Sequence, residues 1–411
     1  MKRLFLIASV TLVVVSESVN ARVFLQISQN LNQKVPLTIL LAQKRDTFWE
    51  KFSTTLKRDL EYSGYFTIQK VSFPSEESLQ TEKNSCVQSL VLTAVTRNEK
   101  ISFSIEDTND QERLWNQDYS APNEPRNFAH QVADDLVLAL TGKPGIASSR
   151  IFYVSSRTGS YQIYCIDADG ENERQITDFP FMVHYPRWIP TSQKLLLVSY
   201  EGGWPKLIQF DPVSRNTSIF LAEPGLNACA SFCQTTGEVA VVLSKSGNPE
   251  IYLFREKDRY LKQLTYDRAI DSSPSFSPDG KMLAFVSDRQ GKPQIFLMNR
   301  DGFQVRRISF ISSYCTSPAW SPDGNFIAYV FSQSGTFGLA VYEVKTRETI
   351  VVDENLGAED VSWAADSRHL VYSRAAARSG WLGIIDIITR EKRKLTKEQF
   401  NCFSPCWAFR L

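Results

Sequence analysis

Ser317-Pro318-Ala319-Trp320-Ser321-Pro322-Asp323-Gly324 decides the fold, because its tryptophan belongs to a series of evenly spaced aromatic residues. Counting Trp320, the successive spacings are 44, 44, 44, 43 and 44 residues, and the other members are Trp188, Phe232, Phe276, Trp363 and Trp407. Self-similarity at a fixed period of this size indicates repeated supersecondary units. We therefore expect a repeat array in this part of the chain.

Each repeat has the pattern of four short strands. Ser-Pro-Asp-Gly follows the aromatic residue at Ser277–Gly280 and Ser321–Gly324, and this order of residues is typical of a tight turn. An apolar segment such as Met282–Ser287 comes next, and turn signals recur about every eleven residues. Four strands per repeat are typical of a β-propeller blade, so six aromatic positions predict six blades.

The two ends of the array predict how the propeller closes. The first apolar segment, at Ile151, occupies the position of a second strand, whereas Trp407 lies on a first strand near Leu411. We expect the C-terminal strand to complete the first blade, which removes an open sheet edge. The predicted fold class is an α/β N-terminal domain followed by an all-β six-bladed β-propeller closed by the C-terminal strand, with domains at 22–145 and 146–411.

Residues 22–145 lack the 44-residue repeat and indicate a small α/β domain. Leu37–Leu41 predicts a strand, and Ile101, Phe103 and Ile105 alternate with polar residues as in a half-buried strand. Two amphipathic helices are expected, one from Asp46-Thr47 to near Gly64 and one from Pro125 to Leu140.

The first 21 residues have the features of a signal peptide. Lys2 and Arg3 precede the apolar run Leu4–Val15, and Val19-Asn20-Ala21 places small residues at the cleavage positions. The run is too short for a transmembrane helix. We expect a mature protein that begins near Arg22 and resides outside the cytoplasm.

Composition excludes several function classes. The formal net charge of +1 offers no basis for binding nucleic acid or an anionic membrane surface. Seven cysteines and three histidines include no Cys-x-x-Cys pair near a histidine, so neither a zinc site nor any other cofactor is expected. We interpret the cysteines as buried and unpaired.

Catalytic motifs are absent from the sequence. It has no Gly-x-Ser-x-Gly nucleophile elbow, no His-Glu-x-x-His and no phosphate-binding glycine loop. Carboxylates from different blades could still converge in a glycosidase site, because sequence spacing does not reveal such convergence. A non-catalytic interaction module is the main prediction, and a hydrolase or glycan-binding propeller is the alternative.

A column four residues before the aromatic anchors predicts the mouth of the propeller channel. This end of each blade carries the longer and more varied connections, which favours it as the binding face. One histidine, one acid and two hydroxyls do not form a metal site or a catalytic triad. The column comprises His184, Ala228, Ser272, Thr316, Glu359 and Phe403.

Three further segments resemble the TolB family. They are Asp59-Leu60-Glu61-Tyr62-Ser63-Gly64-Tyr65-Phe66, Ala129-His130-Gln131-Val132-Ala133-Asp134-Asp135 and Leu140-Thr141-Gly142-Lys143-Pro144-Gly145. The order of signal peptide, α/β domain and six blades is similar to that of this family over essentially the whole mature chain.

The resemblance implies a periplasmic subunit of the Tol–Pal system that maintains outer-membrane integrity during cell division. It implies that the peptidoglycan-associated lipoprotein Pal docks over the channel mouth, where Asn227, Ala228, Ser272 and Thr316 correspond to the docking rim. The segment from Arg22 to about Asn32, which includes Val23 and Phe24, would correspond to the part of the chain that binds TolA and responds to it. The protein is expected to be monomeric alone, without direct membrane insertion.

Overall fold

The computed structural model describes residues 33–97, 99–374 and 379–409. The predicted signal peptide and the segment from Arg22 to Asn32 therefore lie outside the described residues. The chain divides into two compact units, each with its own contacts. The first comprises the described residues up to 61 together with 65–128 and 136–143, and the second comprises 62–64, 129–135 and the chain from 144 onward.

The N-terminal part combines a five-stranded sheet with helices. Its strand order is β2-β1-β3-β4-β5, with β1 parallel to both β2 and β3 and the remaining pairs antiparallel. The strands are β1 (Val35–Ala42), β2 (Phe66–Ser72), β3 (Leu90–Arg97), β4 (Lys100–Asp107) and β5 (Glu112–Ser120). The helices are α1 (Thr47–Tyr62), α2 (Glu76–Ser85) and α3 (Pro125–Thr141).

Local chemistry explains the limits of these helices. An Oδ1 atom of Asp46 accepts a hydrogen bond from the backbone N–H of Trp49 at 3.0 Å and so caps the start of α1. Gly142 ends α3 with φ of 67°, a left-handed conformation that suits glycine. Both helices and the alternating strand β4 confirm the elements expected from the sequence, and Phe52 packs on Phe103 at 5.8 Å between ring centroids.

Six four-stranded sheets follow, as the aromatic spacing predicted. Blade I contains β6 (Arg150–Ser155), β7 (Gln162–Asp167), β8 (Arg174–Gln175) and the last strand, β29 (Cys402–Ala408). Blade II contains β9 (Val183–Ile189), β10 (Lys194–Ser199), β11 (Lys206–Phe210) and β12 (Thr217–Leu221). Blade III contains β13 (Asn227–Phe232), β14 (Val239–Leu243), β15 (Glu250–Arg255) and β16 (Tyr260–Gln263).

The remaining blades repeat this arrangement. Blade IV contains β17 (Asp271–Phe276), β18 (Met282–Ser287), β19 (Gln294–Asn299) and β20 (Arg306–Arg307). Blade V contains β21 (Cys315–Trp320), β22 (Phe326–Gln333), β23 (Thr336–Glu343) and β24 (Thr349–Asp353). Blade VI contains β25 (Ala358–Trp363), β26 (His369–Arg374), β27 (Trp381–Asp386) and β28 (Lys392–Lys394).

The C-terminal strand closes the propeller. In blade I the strand order is β29-β6-β7-β8, and β29 pairs antiparallel with β6 so that Trp407 lies opposite Ile151. This arrangement confirms the predicted closure. Blade I is thereby built from both ends of the array, and its inner edge is covered by a strand from the far end of the chain.

The Ser-Pro-Asp-Gly turns join the first and second strands of a blade. Ser277 Oγ donates to Asp279 Oδ1 at 2.6 Å, and Gly280 takes φ of 70°. A Cβ atom at Gly280 would lie 2.6 Å from Cys233 Sγ of the preceding blade, so close packing also requires glycine there. Blade VI has Ser367 at the matching position and keeps the same turn with φ of 56°.

The core of the propeller lies between adjacent blades. One cluster joins Ala284 and Leu297 of blade IV to Ile327 and Tyr329 of blade V, all of them essentially inaccessible to solvent. Burial of such alternating apolar residues is the main source of stability in stacked sheets. Within the described ranges, no helix combines the length and apolarity that crossing a bilayer requires.

Candidate partner-binding site

The two ends of the propeller differ in their connections. We call the end that holds the Ser-Pro-Asp-Gly turns the turn face, and the opposite end the rim face. The rim face carries the loops between second and third strands, such as 288–293, and those that lead to the next blade, such as 308–314. The candidate column lies on the first strand of each blade near the rim face.

A β-bulge lies at the candidate column in every blade. Pairing between first and second strands shifts register just after the column residue in five blades, for example between Ser272 and Ser275, and just after Ala358, before the column residue, in blade VI. In five blades the residue after the column has φ near 50°, namely Tyr185, Cys229, Ser273, Ser317 and Ser404. A bulge bends the strand and redirects side chains, and bulges are frequent next to functional sites. The repeated kink therefore shapes the channel mouth.

His184 and Phe403 lie in one aromatic cluster, although 219 positions separate them in the chain. Their ring centroids are 6.0 Å apart, and Tyr161 contacts both at 4.7 and 5.3 Å. Tyr200 adds an edge contact to His184 at 5.8 Å. Burial lowers the pKa of His184, so the imidazole is neutral at neutral pH. The cluster offers a mainly apolar surface that Tyr161 and Tyr200 extend.

Asn227 and Ala228 are buried, in contrast to the other members of the predicted set that the structure describes. The amide of Asn227 is fully enclosed and donates to the backbone carbonyls of Pro205, Glu223 and Gly225. Its Oδ1 atom accepts from the backbone N–H of Glu223 at 2.9 Å. These bonds hold the loop before blade III, so the side chain supports the rim and does not present a polar group to solvent.

Ser272 and Thr316 are half-buried and Glu359 is exposed, as a contact surface requires. Next to them lies Asp360, which was not among the residues predicted from the sequence. Its carboxylate accepts hydrogen bonds from Ser317 Oγ at 3.2 Å and Ser404 Oγ at 3.1 Å. Asp360 therefore links three consecutive blades. The repeat could have pointed to this contact, because Asp360, Ser317 and Ser404 each lie three residues before an aromatic anchor.

The rim-face loops and column region carry many exposed large apolar side chains. Among the described residues, eight such side chains lie on the rim-face loops or next to the column: Met182, Tyr185, Trp204, Tyr266, Ile270, Phe310, Ile311 and Tyr314. Trp204 is 75% exposed, Tyr266 73% and Phe310 72%. Exposed apolar groups concentrated on one face mark interaction sites, and aromatic residues dominate binding energy at such sites. Loop exposure depends on tertiary structure, so the sequence alone does not show which of these residues are exposed.

The six aromatic anchors line a cavity of about 370 Å³ toward the turn face. They also connect the blades, since the backbone N–H groups of Phe276 and Trp320 donate to serine hydroxyls of the preceding blades. The described residues that line the cavity include neither aspartate nor glutamate. This composition provides no carboxylate pair of the kind that glycoside hydrolysis requires.

The family model described as the TolB beta propeller domain matches residues 137–411, which is more than half of the chain. The chain belongs to the TolB family. The crystal structure of TolB from Acinetobacter baumannii superimposes with a TM-score of 0.80 at 26% sequence identity, over 92% of this chain and 97% of that one. The family predicted from the sequence is thereby confirmed.

Two curated TolB sequences align over shorter stretches. The Tol-Pal system protein TolB of Albidiferax ferrireducens is 28% identical over 205 residues, which are 47% of this chain and 48% of that protein. The protein of the same name from Methylobacillus flagellatus is 32% identical over 130 residues, or 31% of this chain and 30% of the relative. The alignments thus span about half of one curated TolB and less than a third of the other.

Three predicted contact residues, Arg22, Val23 and Phe24, lie outside the described part of this TolB-family chain. Of the others, the structure brings His184 and Phe403 together and leaves Ser272, Thr316 and Glu359 accessible to different degrees. The roles of all of them in partner binding stay predictions.

Proposed function

We propose that this TolB-family chain is a non-catalytic, periplasmic interaction subunit of the Tol–Pal system that binds the lipoprotein Pal on its rim face. TolA would engage the N-terminal segment, and the complex would help to maintain the outer membrane during cell division. The concentration of exposed aromatic and aliphatic side chains on the rim-face loops carries this proposal. Membership of the TolB family supports a role with protein partners, and naming Pal and TolA as those partners is part of the proposal.

The rim face has the composition of a protein-binding surface. Trp204, Tyr266 and Phe310 extend apolar area into solvent, and the neutral aromatic cluster around His184 continues that area toward the channel. Half-buried hydroxyls at Ser272 and Thr316 add hydrogen-bonding groups beside it. Interfaces of this type combine a central apolar anchor with a polar rim. Among the described residues, the turn face contributes fewer such groups, namely Val213, Tyr260, Phe303 and Val305.

Binding of purified cognate Pal by calorimetry or pull-down tests the proposal. We expect the wild-type chain to bind and the double variant Ser272→Arg with Thr316→Arg to lose at least about 100-fold in affinity, because two long charged side chains would obstruct the mouth. Thr191→Arg with Ser192→Arg is the matched control, since both residues are exposed on a turn of the opposite face. The control should bind as wild type does.

Two results would overturn the docking proposal. One is failure of the wild-type chain to bind cognate Pal, and the other is undiminished binding by the Ser272→Arg, Thr316→Arg variant. Circular dichroism and a thermal melt of each variant show whether the propeller remains folded. Reduced binding by a folded rim variant, with normal binding by the turn-face control, supports the rim face.

A second experiment tests the segment from Arg22 to Asn32, which the family resemblance assigns to communication with TolA. Deletion of these residues is expected to change Pal affinity without lowering the melting temperature of the propeller. Unchanged affinity for Pal would contradict a switching role for the segment. Loss of a TolA pull-down in the same variant would support its role as the TolA contact.

The alternative is a propeller hydrolase or glycan-binding protein that uses the same channel. The aromatic lining of the turn-face cavity favours sugar stacking, because aromatic faces suit apolar sugar surfaces. Incubation of the pure protein with envelope glycans tests it. Hydrolytic turnover or saturable glycan binding that Trp188→Ala abolishes would support this alternative over Pal docking.

A further inference from the structure

Blade III breaks a pattern that blades I and IV share at the start of the third strand. Gln162 and Gln294 stand there, 132 residues apart, and Glu250 stands 44 residues before Gln294. The amide of Gln162 donates to the carbonyls of Phe179 and Phe181, and that of Gln294 donates to Ser312. Each glutamine thus holds the loop that leads to the next blade. A glutamate cannot donate such hydrogen bonds.

In blade III, Asn248 holds the loop that leads to the next blade. Its Nδ2 atom donates to the carbonyls of Asp267 and Ala269 at 3.1 and 2.6 Å, and also to Glu250 Oε1 at 3.0 Å. Thr265 Oγ1 donates to Glu250 Oε2 at 2.5 Å. The loop is therefore held without an amide at position 250, and its hydrogen bonds do not explain why a carboxylate stands there in place of the glutamine of blades I and IV.

Two more carboxylates meet Glu250 at this corner of the rim face. One ligand oxygen from each of Glu250, Asp267 and Asp271 lies within 4.8 Å of the others. The Asp271 side chain is inaccessible to solvent, and its Oδ1 atom has no hydrogen-bond partner among the described residues. A buried carboxylate oxygen without a partner costs free energy, so a missing ligand at this position is indicated.

The charges at the corner do not balance. Arg289 pairs with Asp271 at 2.8 Å and Asp267 at 3.0 Å, which leaves three formal negative charges against one positive charge. A bound cation would relieve the repulsion among the three carboxylates.

We propose that Glu250, Asp267 and Asp271 form a divalent-cation site, selective for Ca²⁺, at the rim-face junction of blades III and IV. All three donors are hard oxygen ligands, which Ca²⁺ accepts at about 2.3–2.6 Å. Oxygens up to 4.8 Å apart can share an ion at such distances. Mg²⁺ requires shorter bonds of about 2.0–2.1 Å and near-octahedral geometry, which constrains three carboxylates on separate segments more strictly than the flexible coordination of Ca²⁺ does.

The proposed site is open to solvent on the side of Asp267. Its side chain is 42% exposed, whereas those of Glu250 and Asp271 are buried. Water would complete the coordination from the Asp267 side, because Ca²⁺ takes six to eight oxygens and the protein side chains offer three. A site with few protein ligands should bind weakly, with a dissociation constant of about 10⁻⁴–10⁻³ M.

Titration of the metal-free mature protein with CaCl2, followed by calorimetry and thermal unfolding, tests the site. We expect wild type to bind one Ca²⁺ and to melt at a higher temperature as Ca²⁺ rises, with a smaller response to MgCl2. Glu250→Gln should weaken Ca²⁺ binding at least about tenfold. This variant introduces the residue that blades I and IV already carry, so it should fold.

Glu354→Gln is the matched control, because it makes the same chemical change at an exposed carboxylate on another rim-face loop. It should keep the wild-type response to Ca²⁺. No binding by wild type at about 10 mM CaCl2, well above the expected dissociation constant, would overturn the proposal. An equal Ca²⁺ response in Glu250→Gln and wild type would also overturn it, since the ion would then bind elsewhere.

Discussion

The backbone N–H of Trp188 donates a hydrogen bond to Cys406 Sγ at 3.2 Å, although 218 residues separate the two. Trp188 belongs to blade II and Cys406 to the C-terminal strand of blade I, so this bond lies at the seam where the ring closes. Trp407, the next residue, donates its backbone N–H to Ser362 Oγ of blade VI at 3.0 Å. The C-terminal strand is therefore bonded to blades on both of its sides.

Truncation of Trp407 should destabilise the propeller strongly. Its side chain is 2% exposed, and its indole N–H donates to Ser149 Oγ at 2.7 Å. We expect Trp407→Ala to lower the free energy of unfolding by about 3–5 kcal/mol in urea denaturation. Trp320→Ala should cost less, because Trp320 is only half-buried. Equal stability of Trp407→Ala and wild type would show that the closing strand does not depend on this contact.

Asn227→Ala should reduce stability more than Ser272→Ala does. The change removes the donor to three backbone carbonyls and leaves them without that partner in a buried loop. The expected loss is about 1–3 kcal/mol in the free energy of unfolding. Ser272→Ala, at a half-buried neighbouring position on the rim, should change it by less than about 0.5 kcal/mol. Similar unfolding curves for the two variants would contradict the supporting role of Asn227.

We expect Glu250→Gln to raise the free energy of unfolding relative to wild type by an amount that depends on pH. Burial, reinforced by the charges of Asp271 and Asp267, raises the pKa of Glu250 above its ordinary value of 4.5. The folded protein then binds the proton more tightly than the unfolded chain does, so wild type loses stability as pH rises through the raised pKa. Without Ca²⁺, denaturation should show a larger advantage for the variant at about pH 8 than at about pH 5. A difference in unfolding free energy that is independent of pH would contradict the raised pKa of Glu250.

The contribution of Asp366 to stability should depend on pH in the opposite sense to that of Glu250. Asp366→Asn should therefore destabilise the protein at neutral pH. Burial alone would raise the pKa of Asp366, but the charge of His369 and hydrogen bonds outweigh it and hold the pKa below 3.8. Asp366 Oδ2 lies 2.6 Å from His369 Nδ1. The ionised form therefore stabilises the fold above the unfolded pKa, and this contribution disappears as pH falls through the folded pKa.

Urea denaturation of Asp366→Asn and wild type checks this expectation. The difference in unfolding free energy should be about 1.5–3 kcal/mol near pH 7, as for lost hydrogen bonds to a buried charged group, and should narrow below about pH 4. Asp301→Asn, at a side chain 71% exposed, is the control and should show little difference at either pH. A constant difference for Asp366→Asn would exclude an ionised carboxylate as its cause.

Much of the architecture was predictable because it follows from chemistry that recurs locally. The aromatic spacing predicted six blades, and the order of segments around Ile151 and Trp407 predicted closure by β29. Turns form from residues close in sequence, as in the bond from Ser277 to Asp279. The rim column was also located by counting from the anchors, since the period is nearly constant.

The character of individual rim residues was not predictable in the same way. Ala228 and Glu359 occupy the same position of the repeat, yet the former is buried and the latter is exposed. Loop conformation decides that difference, and each loop has its own length and sequence. The exposed aromatic residues Trp204 and Phe310 likewise required the structure, because a sequence does not show which side of a loop faces solvent.

The sequence by itself determined the repeat, the number of blades, the closing strand and the family, because these depend on periodic patterns and short motifs. Only the tertiary structure decided that Asp360 joins Ser317 and Ser404, and that Glu250 and Asp271 meet at one corner. Such contacts depend on strand register, bulges and loop paths. Small changes in these features move a side chain by several ångströms, and the distances that matter for hydrogen bonds and ion binding are no larger than that.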